Sequence, residues 1–411
     1  MKIITATNKQ KMPKVFIGLS GGVDSSVAAA LLKYPPSPED LGYGEARKNY
    51  DVTGVFVKIL DEKWGNCQWP EERRDAMKVA IKLGIPFKTL DLSAEYKKEV
   101  VDYMIREYKL GRTPNPDVMC NKTIKFGAFL KWALKNGADY VATGHYARRR
   151  EFSIFNLAYR QAGFQFSIKP QIPKKSKIIN YKSKIQLLRG VDETKDQSYF
   201  LWQLKQAQLK HCLFPIGEYK KSEVRALAKK FGLPTAEKPD SQGICFVGKV
   251  GLKEFLQQYL KPKRGKVLNE KKEVIGYHDG AFFLTIGQRH GFVVTKKTPN
   301  DAPFYIVEKD IKRNTITVSQ KSEQQIVNSK KNKSIIIHKI NWMNGEPEKN
   351  KNYQARFRHL QELKVCKVKK LKVGEYEIRF NEPQDGAAPG QSLVLYDNDI
   401  CIGGGIIKSN G

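Results

Sequence analysis

Two different periods of apolar residues divide this chain. Up to about residue 145, short apolar runs alternate with amphipathic stretches: residues 15–17, 52–57, 86–90 and 139–143 read as strands, and residues 27–32, 71–83, 93–108 and 122–135 as helices. Ser93 stands where an N-cap belongs. Apolar strands alternating with helices predict a parallel, doubly wound sheet, which takes ligands at the carboxyl ends of its strands. Two further helices are predicted over 196–204 and 222–231, the second stopped by Gly232 and Pro234. From about residue 264 the period changes to two. Residues 267–268, 282–284, 304–307 and 315–318 read as short strands among Gly, Asn and Asp turns, as do 364–368, 376–380, 392–396 and 400–402, with Asn398-Asp399 as a turn. This predicts a small β module followed by a β-barrel, so the fold class is α/β plus β.

Composition narrows the class. The 411 residues exceed what one core organises, and 40% hydrophobic content suffices for two or three ordinary cores. A formal net charge of +31 argues for a polyanionic partner, nucleic acid ahead of a membrane surface; a lysine-rich solvated surface is the plainer alternative. Residues 148–189 are crowded with Lys and Arg against the single acid Glu151, interleaved with Phe152, Phe155, Tyr159, Phe164, Phe166 and Tyr181. That stretch reads equally as an RNA-binding arm or as a β-hairpin extension with solvated lysines. Cys67, Cys120, Cys212, Cys245, Cys366 and Cys401 show no CxxC spacing, so neither a disulfide framework nor a zinc site is predicted. No segment approaches the roughly 18 apolar residues of a membrane span. Residues 1–14 are polar and lysine-bearing, unlike a secretory signal, so a cytoplasmic location is expected ahead of an organellar one.

The chemistry concentrates at Gly18-Leu19-Ser20-Gly21-Gly22-Val23-Asp24-Ser25-Ser26, between the first strand and the first helix. A glycine-rich strand-to-helix turn lets backbone N–H groups approach an anion, with the helix N-terminus aimed at it. Ser20, Ser25 and Ser26 add hydroxyls, and Asp24 could orient a metal or the loop itself. No Gly-Lys-Ser/Thr follows, so this is not the Walker loop. The alternative is a turn that needs its glycines only for positive φ. The pattern Ser-Gly-Gly-x-Asp-Ser resembles the pyrophosphate loop of N-type ATP pyrophosphatases, which split ATP into AMP and pyrophosphate to adenylate a substrate oxygen. Two cysteines are candidates for the second half of such a reaction. Cys120 ends the proline-bearing stretch 111–120, predicted to be an extended loop, near a helix starting about Lys122; a thiol at such a place is biased toward thiolate. Cys245 lies in the glycine-flanked segment 240–248. Either cysteine alone reads more simply as a small buried hydrophobe.

An ordered set of motifs makes the resemblance specific. Gly-Arg-Thr-Pro-Asn-Pro-Asp-x-x-Cys-Asn-Lys at 111–122, Ala-Thr-Gly-His-Tyr at 142–146, Leu-Leu-Arg-Gly at 187–190 and Lys-Asp-Gln-Ser-Tyr-Phe-Leu at 195–201 follow the loop. Asp-Ser-x-Gly-Ile-Cys-Phe at 240–246, Thr-Ile-Gly-Gln-Arg at 285–289, Pro-Gly-Gln at 389–391 and Cys-Ile-Gly-Gly-Gly at 401–405 complete it. Over nearly its whole length the chain resembles the bacterial and organellar tRNA-specific 2-thiouridylases. The resemblance implies a Rossmann-like ATP-pyrophosphatase domain over 1–248 with a basic insertion at about 150–182, a central β module over 249–325, and a tRNA-binding barrel over 326–411. It implies ATP-dependent 2-thiolation of a wobble uridine, with Mg2+ accompanying ATP, and no resident metal site. Glutamate, glutamine and lysine tRNAs are the implied substrates, and a persulfide donor or relay protein the implied sulfur source.

By the same mapping, Cys245 carries a persulfide and Cys120 frees its sulfur, so the two must reach one uridine. Asn115, Pro116 and Asp117 would contact the base, with Asp117 a candidate acid/base. Gly18, Leu19, Ser20, Gly21, Gly22, Val23, Asp24, Ser25, Val57 and Gly144 would bind ATP; Val57 stands where the family commonly has a methionine against adenine, so only apolar packing carries over. His145 would meet the tRNA or the reaction centre, and Lys195, Asp196, Gln197, Arg356, Phe357 and Gln391 would contact tRNA. Nothing transfers onto the insertion, and Cys67, Cys212, Cys366 and Cys401 read as core packing. Two rivals stand beside this reading: an adenylating amidotransferase or ligase that uses ammonia or an amine, which would not need Cys120 and Cys245, and a catalytically silent tRNA-binding protein.

Overall fold

The computed structural model describes residues 12–35, 49–59, 69–152, 184–240, 252–295, 302–320, 333–384 and 386–408. They form two compact units that interleave along the chain, one drawn from Met1–Val101, Met119–Tyr146 and His211–Leu252, the other from Asp102–Val118, Ala147–Lys210 and Lys253–Gly411.

The first unit is built on a parallel sheet. Its strands are β1 (Lys14–Gly18), β2 (Asp51–Lys58), β3 (Phe87–Asp91), β4 (Tyr140–Ala142) and β7 (Cys212–Leu213); β5 (Ala147–Phe152) and β6 (Lys184–Arg189) belong to the other unit. The spatial order is β3-β2-β1-β4-β7, every pair parallel. Val15 and Ile17 are fully buried because helices cover the sheet, which is why β1 reads as a continuous apolar run. Helix α1 (Val23–Lys33) lies close to the sheet through the small side chains of Ala28, Ala29 and Ala30, and the Lys221–Lys230 helix adds Val224 and Ala228 to the same core. From β1 the chain steps outward to β2 and β3, then returns to β4 on the other flank. The order therefore reverses between β1 and β4, and their carboxyl ends open a crevice there.

Two sequence expectations need correction in the helices. Ser93 is the first residue of its helix and Leu92 the N-cap; Asp91 takes the capping task, accepting the Ser93 N–H at 3.0 Å and its hydroxyl at 2.5 Å. The helix expected from Lys122 begins at Pro116, where the Asn115 side chain accepts the Val118 N–H at 3.1 Å. Proline tolerates that first helical position because no partner exists there for an N–H. The run continues through a π-helical stretch, Cys120–Ala128, into Phe129–Lys135.

The second unit holds two β systems. One sheet has the order β10-β9-β8-β12-β11: β8 (Gly265–Leu268) and β12 (Thr315–Ser319) are parallel, while β9 (Val274–His278), β10 (Phe292–Val294) and β11 (Tyr305–Asp310) join antiparallel. Residues 282–284, expected as a strand, instead contribute to a 3-10 turn over Ala281–Phe283. Three apolar residues without alternation suit one buried turn as well as a strand, and Ala281 and Leu284 pack into this module's core. The other system is β13 (Ser334–Trp342), β14 (Asn352–Arg356), β15 (Lys364–Lys372), β16 (Glu375–Phe380), β17 (Ser392–Asp397) and β18 (Ile400–Ile407) in the order β13-β16-β15-β14-β17-β18. A β13–β18 pairing closes the ring. The antiparallel β5–β6 pair, in register from Ala147↔Arg189 to Phe152↔Lys184, extends this sheet from β18. These strands flank the basic insertion, whose residues 153–183 lie outside the described residues.

Residues 196–204, expected as a helix, form only a 3-10 turn over Ser198–Leu201. Asp196 explains the interruption. Its fully buried carboxylate accepts the Gly190 N–H (3.0 Å), the Ser198 N–H (3.1 Å) and the Ser198 hydroxyl (3.0 Å), a local alternative to helical bonding. Arg356, 2% exposed, completes the hub with one Nη 2.5 Å from Asp196 and 3.0 Å from the Tyr396 hydroxyl. Breaking such a pair leaves a charge buried and uncompensated. Arg356→Met should therefore cost about 3–5 kcal/mol in urea titration, and adding Asp196→Asn should recover part of it.

Candidate active site

Of the residues expected to bind nucleotide, the Gly18–Ser25 loop and Gly144 meet at the β1–β4 crevice of the first unit. Gly21 takes φ +73°, and a Cβ there would stand 2.5 Å from the Glu72 carbonyl oxygen, so the turn needs glycine for both shape and space. Gly22 is the N-cap of α1 and supplies no side-chain cap, which leaves the first-turn N–H groups for another acceptor. The hydroxyls shape the turn: Ser25 and Ser26 donate to the Gly22 carbonyl at 3.1 and 2.8 Å, and Ser25 Oγ accepts the Ser20 N–H at 3.2 Å. From the neighbouring strand end, Gly144 comes against this turn. A Cβ on Gly144 would lie 2.6 Å from the Ser25 nitrogen and 2.7 Å from the Asp24 carbonyl carbon. Val57 is half-buried near the carboxyl end of β2, two strands from β4.

Around the loop runs a chain of charges that local sequence patterns did not reveal. Asp24 Oδ1 accepts from the Tyr146 hydroxyl at 2.8 Å and from Lys221 Nζ at 2.7 Å. These contacts tie Asp24 to the residues around the loop. Lys221 also lies 2.9 Å from Asp240, which in turn pairs with Arg225 at 2.5 Å. Arg225 further donates to the carbonyls of Ala236 (3.0 Å) and Lys238 (2.7 Å). Lys238 Nζ donates to the Gly21 carbonyl at 3.0 Å and to Asp75 at 2.9 Å. Burial opposes the charge on Asp75, but the hydrogen bond and charge of Lys238 outweigh it and hold its carboxyl below the usual value. The available signal was negative: a phosphate-type loop without its own lysine requires cations from elsewhere in the chain.

His145 is buried, with Nδ1 2.7 Å from the Thr143 hydroxyl, Nε2 3.5 Å from Lys125 Nζ, and its ring against Phe126 and Phe214. Cys120 is also buried, at 5% exposed, and opens the π-helical stretch. The expectation of a thiol at a helix start needs correction, because the first turn is Pro116–Met119 and the dipole's influence fades beyond it. Cys245, and with it the expected meeting of the two thiols, lies outside the described residues, as does Cys67.

In the second unit, Asn115, Asp196, Arg356 and Phe357 converge on one hub. The Tyr199 hydroxyl hydrogen-bonds Asn115 and lies 2.9 Å from the carbonyl oxygens of Phe357 and Ser392, beside Gln391. The side chains of Asp196, Arg356 and Phe357 are buried, whereas Lys195, Gln197 and Gln391 are half-exposed. Pro116 is buried and Asp117 half-buried in the first turn of their helix. Cys212, Cys366 and Cys401 are core residues, as expected, and burial pushes the thiols of Cys366 and Cys401 up to about 12.

Burial, with Lys125 beside it, pushes the His145 pKa well below 6.5. Below about pH 6.5 the unfolded chain thus binds a proton that the folded chain refuses, and stability falls as pH falls. Unfolding free energies from urea titrations between pH 7.5 and 5.0 should decline, by up to about 1.4 kcal/mol per pH unit from this group, and less steeply in His145→Gln.

Residues 13–249 match the tRNA methyl transferase HUP domain, residues 253–320 the tRNA methyl transferase PRC-barrel domain, and residues 332–407 the aminomethyltransferase beta-barrel domain. The tRNA-specific 2-thiouridylase MnmA of Listeria monocytogenes is 41% identical over 399 residues, spanning 96% of this chain and 95% of that protein. The Pseudomonas aeruginosa protein of the same name is 39% identical over 400 residues, spanning 96% and 94%. Among solved structures, the U34-tRNA thiolase NcsA from Methanococcus maripaludis aligns with a TM-score of 0.31 and 17% identity, over 61% of this chain and 64% of that one. With near-complete coverage at about 40% identity, the chain belongs to the tRNA-specific 2-thiouridylase family.

Proposed function

We propose that this protein replaces O2 of a tRNA wobble uridine with sulfur by adenylation followed by persulfide transfer. The observation that carries the reading is the Gly18–Ser25 loop at the β1–β4 crevice, with Gly144 against the first turn of α1. The matched domains are named for methyl transfer, yet a methyl donor leaves no pyrophosphate to be held. A loop of this kind favours ATP cleavage instead.

In the first step uridine O2 attacks the α-phosphorus of ATP and pyrophosphate leaves. The loop N–H groups of residues 18–25 would hold the phosphates, with Val57 supplying apolar contact to the adenine and Gly144 bordering the nucleotide. Among the described residues no group of three or more His, Cys, Asp or Glu side chains could hold a metal. Mg2+ bound with nucleotide needs less, one or two carboxylates beside phosphate oxygens, and Asp24 fits that part; the ion would screen phosphate charge. In the second step the terminal sulfur of a Cys245 persulfide attacks C2, and AMP departs with the original oxygen. The Cys120 thiolate then attacks the inner sulfur of Cys245, breaking the S–S bond and leaving sulfur on C2. The resulting Cys120–Cys245 disulfide is returned to thiols by an external thiol reductant, and a persulfide donor or relay protein reloads Cys245. Asp117 would move the proton beside the adenylated oxygen, with Asn115 and Pro116 bordering the base. An unpaired anticodon base can be splayed into such a site at low cost.

Half-exposed Lys195, Gln197 and Gln391 are the members of the expected tRNA-contact set able to touch RNA as the protein stands. Buried Asp196, Arg356 and Phe357 would support them from beneath. The net charge of +31 suits a polyanion. No helix among the described residues is long and apolar enough to cross a membrane. A cytoplasmic setting supplies the reductant and the tRNA.

Nucleoside mass spectrometry of unmodified glutamate, glutamine or lysine tRNA, incubated with enzyme, ATP, Mg2+ and a persulfide donor, should show ATP-dependent 2-thiouridine. Cys120→Ser and Cys245→Ser should each lower the yield at least about a hundredfold. AMP without thiolated base would mean another acceptor, and retained activity in both variants would favour amine transfer. Affinity for tRNA should drop at least about tenfold over a fourfold rise in salt, and a flat response would remove the basic surface from the argument.

A further inference from the structure

We propose that Lys221 and Lys238 are the pyrophosphate-binding cations of this site, supplying from outside the loop the charge that a Walker loop carries within itself. The inference rests on the ATP reading above and assigns residues that reading leaves open.

The loop by itself is poorly matched to its ligand. Residues 18–26 contain one acid, Asp24, and no base, so the segment is formally negative. Backbone N–H groups and a helix terminus offer only partial charges, whereas the triphosphate is polyanionic and the departing pyrophosphate gains charge as the α-phosphorus bond breaks. Full positive charge must therefore stand at the loop. Two ammonium groups touch it directly: Lys221 Nζ at 2.7 Å from Asp24 Oδ1, and Lys238 Nζ at 3.0 Å from the Gly21 carbonyl.

Both lysines are held in place. Lys221 is 14% exposed and opens the helix that packs on the α1 core, with Asp240 as its second anion. The segment carrying Lys238 is clamped by Arg225 through hydrogen bonds to the carbonyls of Ala236 and Lys238, and Asp75 fixes the Lys238 ammonium group. A preorganised cation costs little rearrangement when the anion arrives. Phosphate oxygens then take the place of carboxylates as partners, which leaves Asp24 available to the ion that accompanies ATP. A purely structural role, knitting the Lys221–Lys230 helix and the Lys238 segment to the loop, would stabilise the fold without discriminating among ligands. That difference separates the two roles.

The test is calorimetric titration of the full-length protein with inorganic pyrophosphate, ATP and AMP in the presence of Mg2+. The variants are Lys221→Met, Lys238→Met, the charge-balanced pair Lys221→Met/Asp240→Asn, and Lys230→Met as a control for bulk charge. The expected result is a rise in Kd for pyrophosphate and ATP of about tenfold or more in the first three, with AMP affinity within about twofold and the control unchanged. Pyrophosphate affinity equal to wild type in both single variants overturns the assignment and leaves the ATP reading standing. Parallel loss of AMP and pyrophosphate binding also overturns it, because that is the mark of a structural lysine. If the wild-type protein binds neither ATP nor pyrophosphate, the ATP reading itself fails and the assignment falls with it.

Discussion

The close approach of Gly144 to the first turn of α1 is the constraint on which the candidate nucleotide site depends. With no side chain at 144, the carboxyl end of β4 lies directly against Asp24 and Ser25. The same approach brings Tyr146, two residues on, within hydrogen-bonding distance of Asp24. The crevice at the reversal of strand order is thereby narrowed to backbone, and backbone N–H groups are what an anion can use there. Tyr146, Lys221, Asp240 and Arg225 then hold the loop from one side, and Lys238 and Asp75 from the other.

The second unit solves a different problem. It buries Asp196 and Arg356 in a β-rich core and pairs them with each other, with Ser198 and Tyr396 and with backbone N–H groups, leaving the Arg356 Nε without a partner among the described residues. Such a buried polar hub adds little net stability compared with an apolar core of the same shape, but it penalises wrong arrangements heavily. Its members come from the motif at 195–201, from the expected tRNA-contact residues Arg356 and Phe357, and from Ser392 beside the motif at 389–391, with Asn115 joining through Tyr199. The stretch carrying the candidate base-contacting residues is thus tied to the hub that underlies half-exposed Lys195 and Gln197.

Errors in reading the sequence share a cause. Ser93 looked like a cap, and Asp91 does the capping from the end of a strand. The Asn115-Pro116 pair looked like rigid extended loop, yet it starts a helix, since proline's φ suits a first helical position as well as an extended one. Residues 196–204 have helical composition, but the buried Asp196 carboxylate holds the Ser198 N–H and hydroxyl and the Gly190 N–H around itself, and only a 3-10 turn follows. In each case local preference was nearly balanced, and a neighbouring polar side chain tipped it: Asp91 at Ser93, Asn115 at Val118 and Asp196 at Ser198.

What the sequence by itself determined was whatever depends on neighbours along the chain. The loop at 18–26 is legible because glycine conformations and helix N-termini are local, and the change of period from β/α alternation to two is legible because burial repeats with strand geometry. Tertiary structure alone decided the rest. Lys221 and Asp24 are 197 positions apart, and Arg356 and Asp196 are 160 apart. No local pattern encodes such distances. Only the parallel order that sets β4 and β7 beside β1, and the strand succession β14-β17-β18-β6, brings those charges within reach of one another.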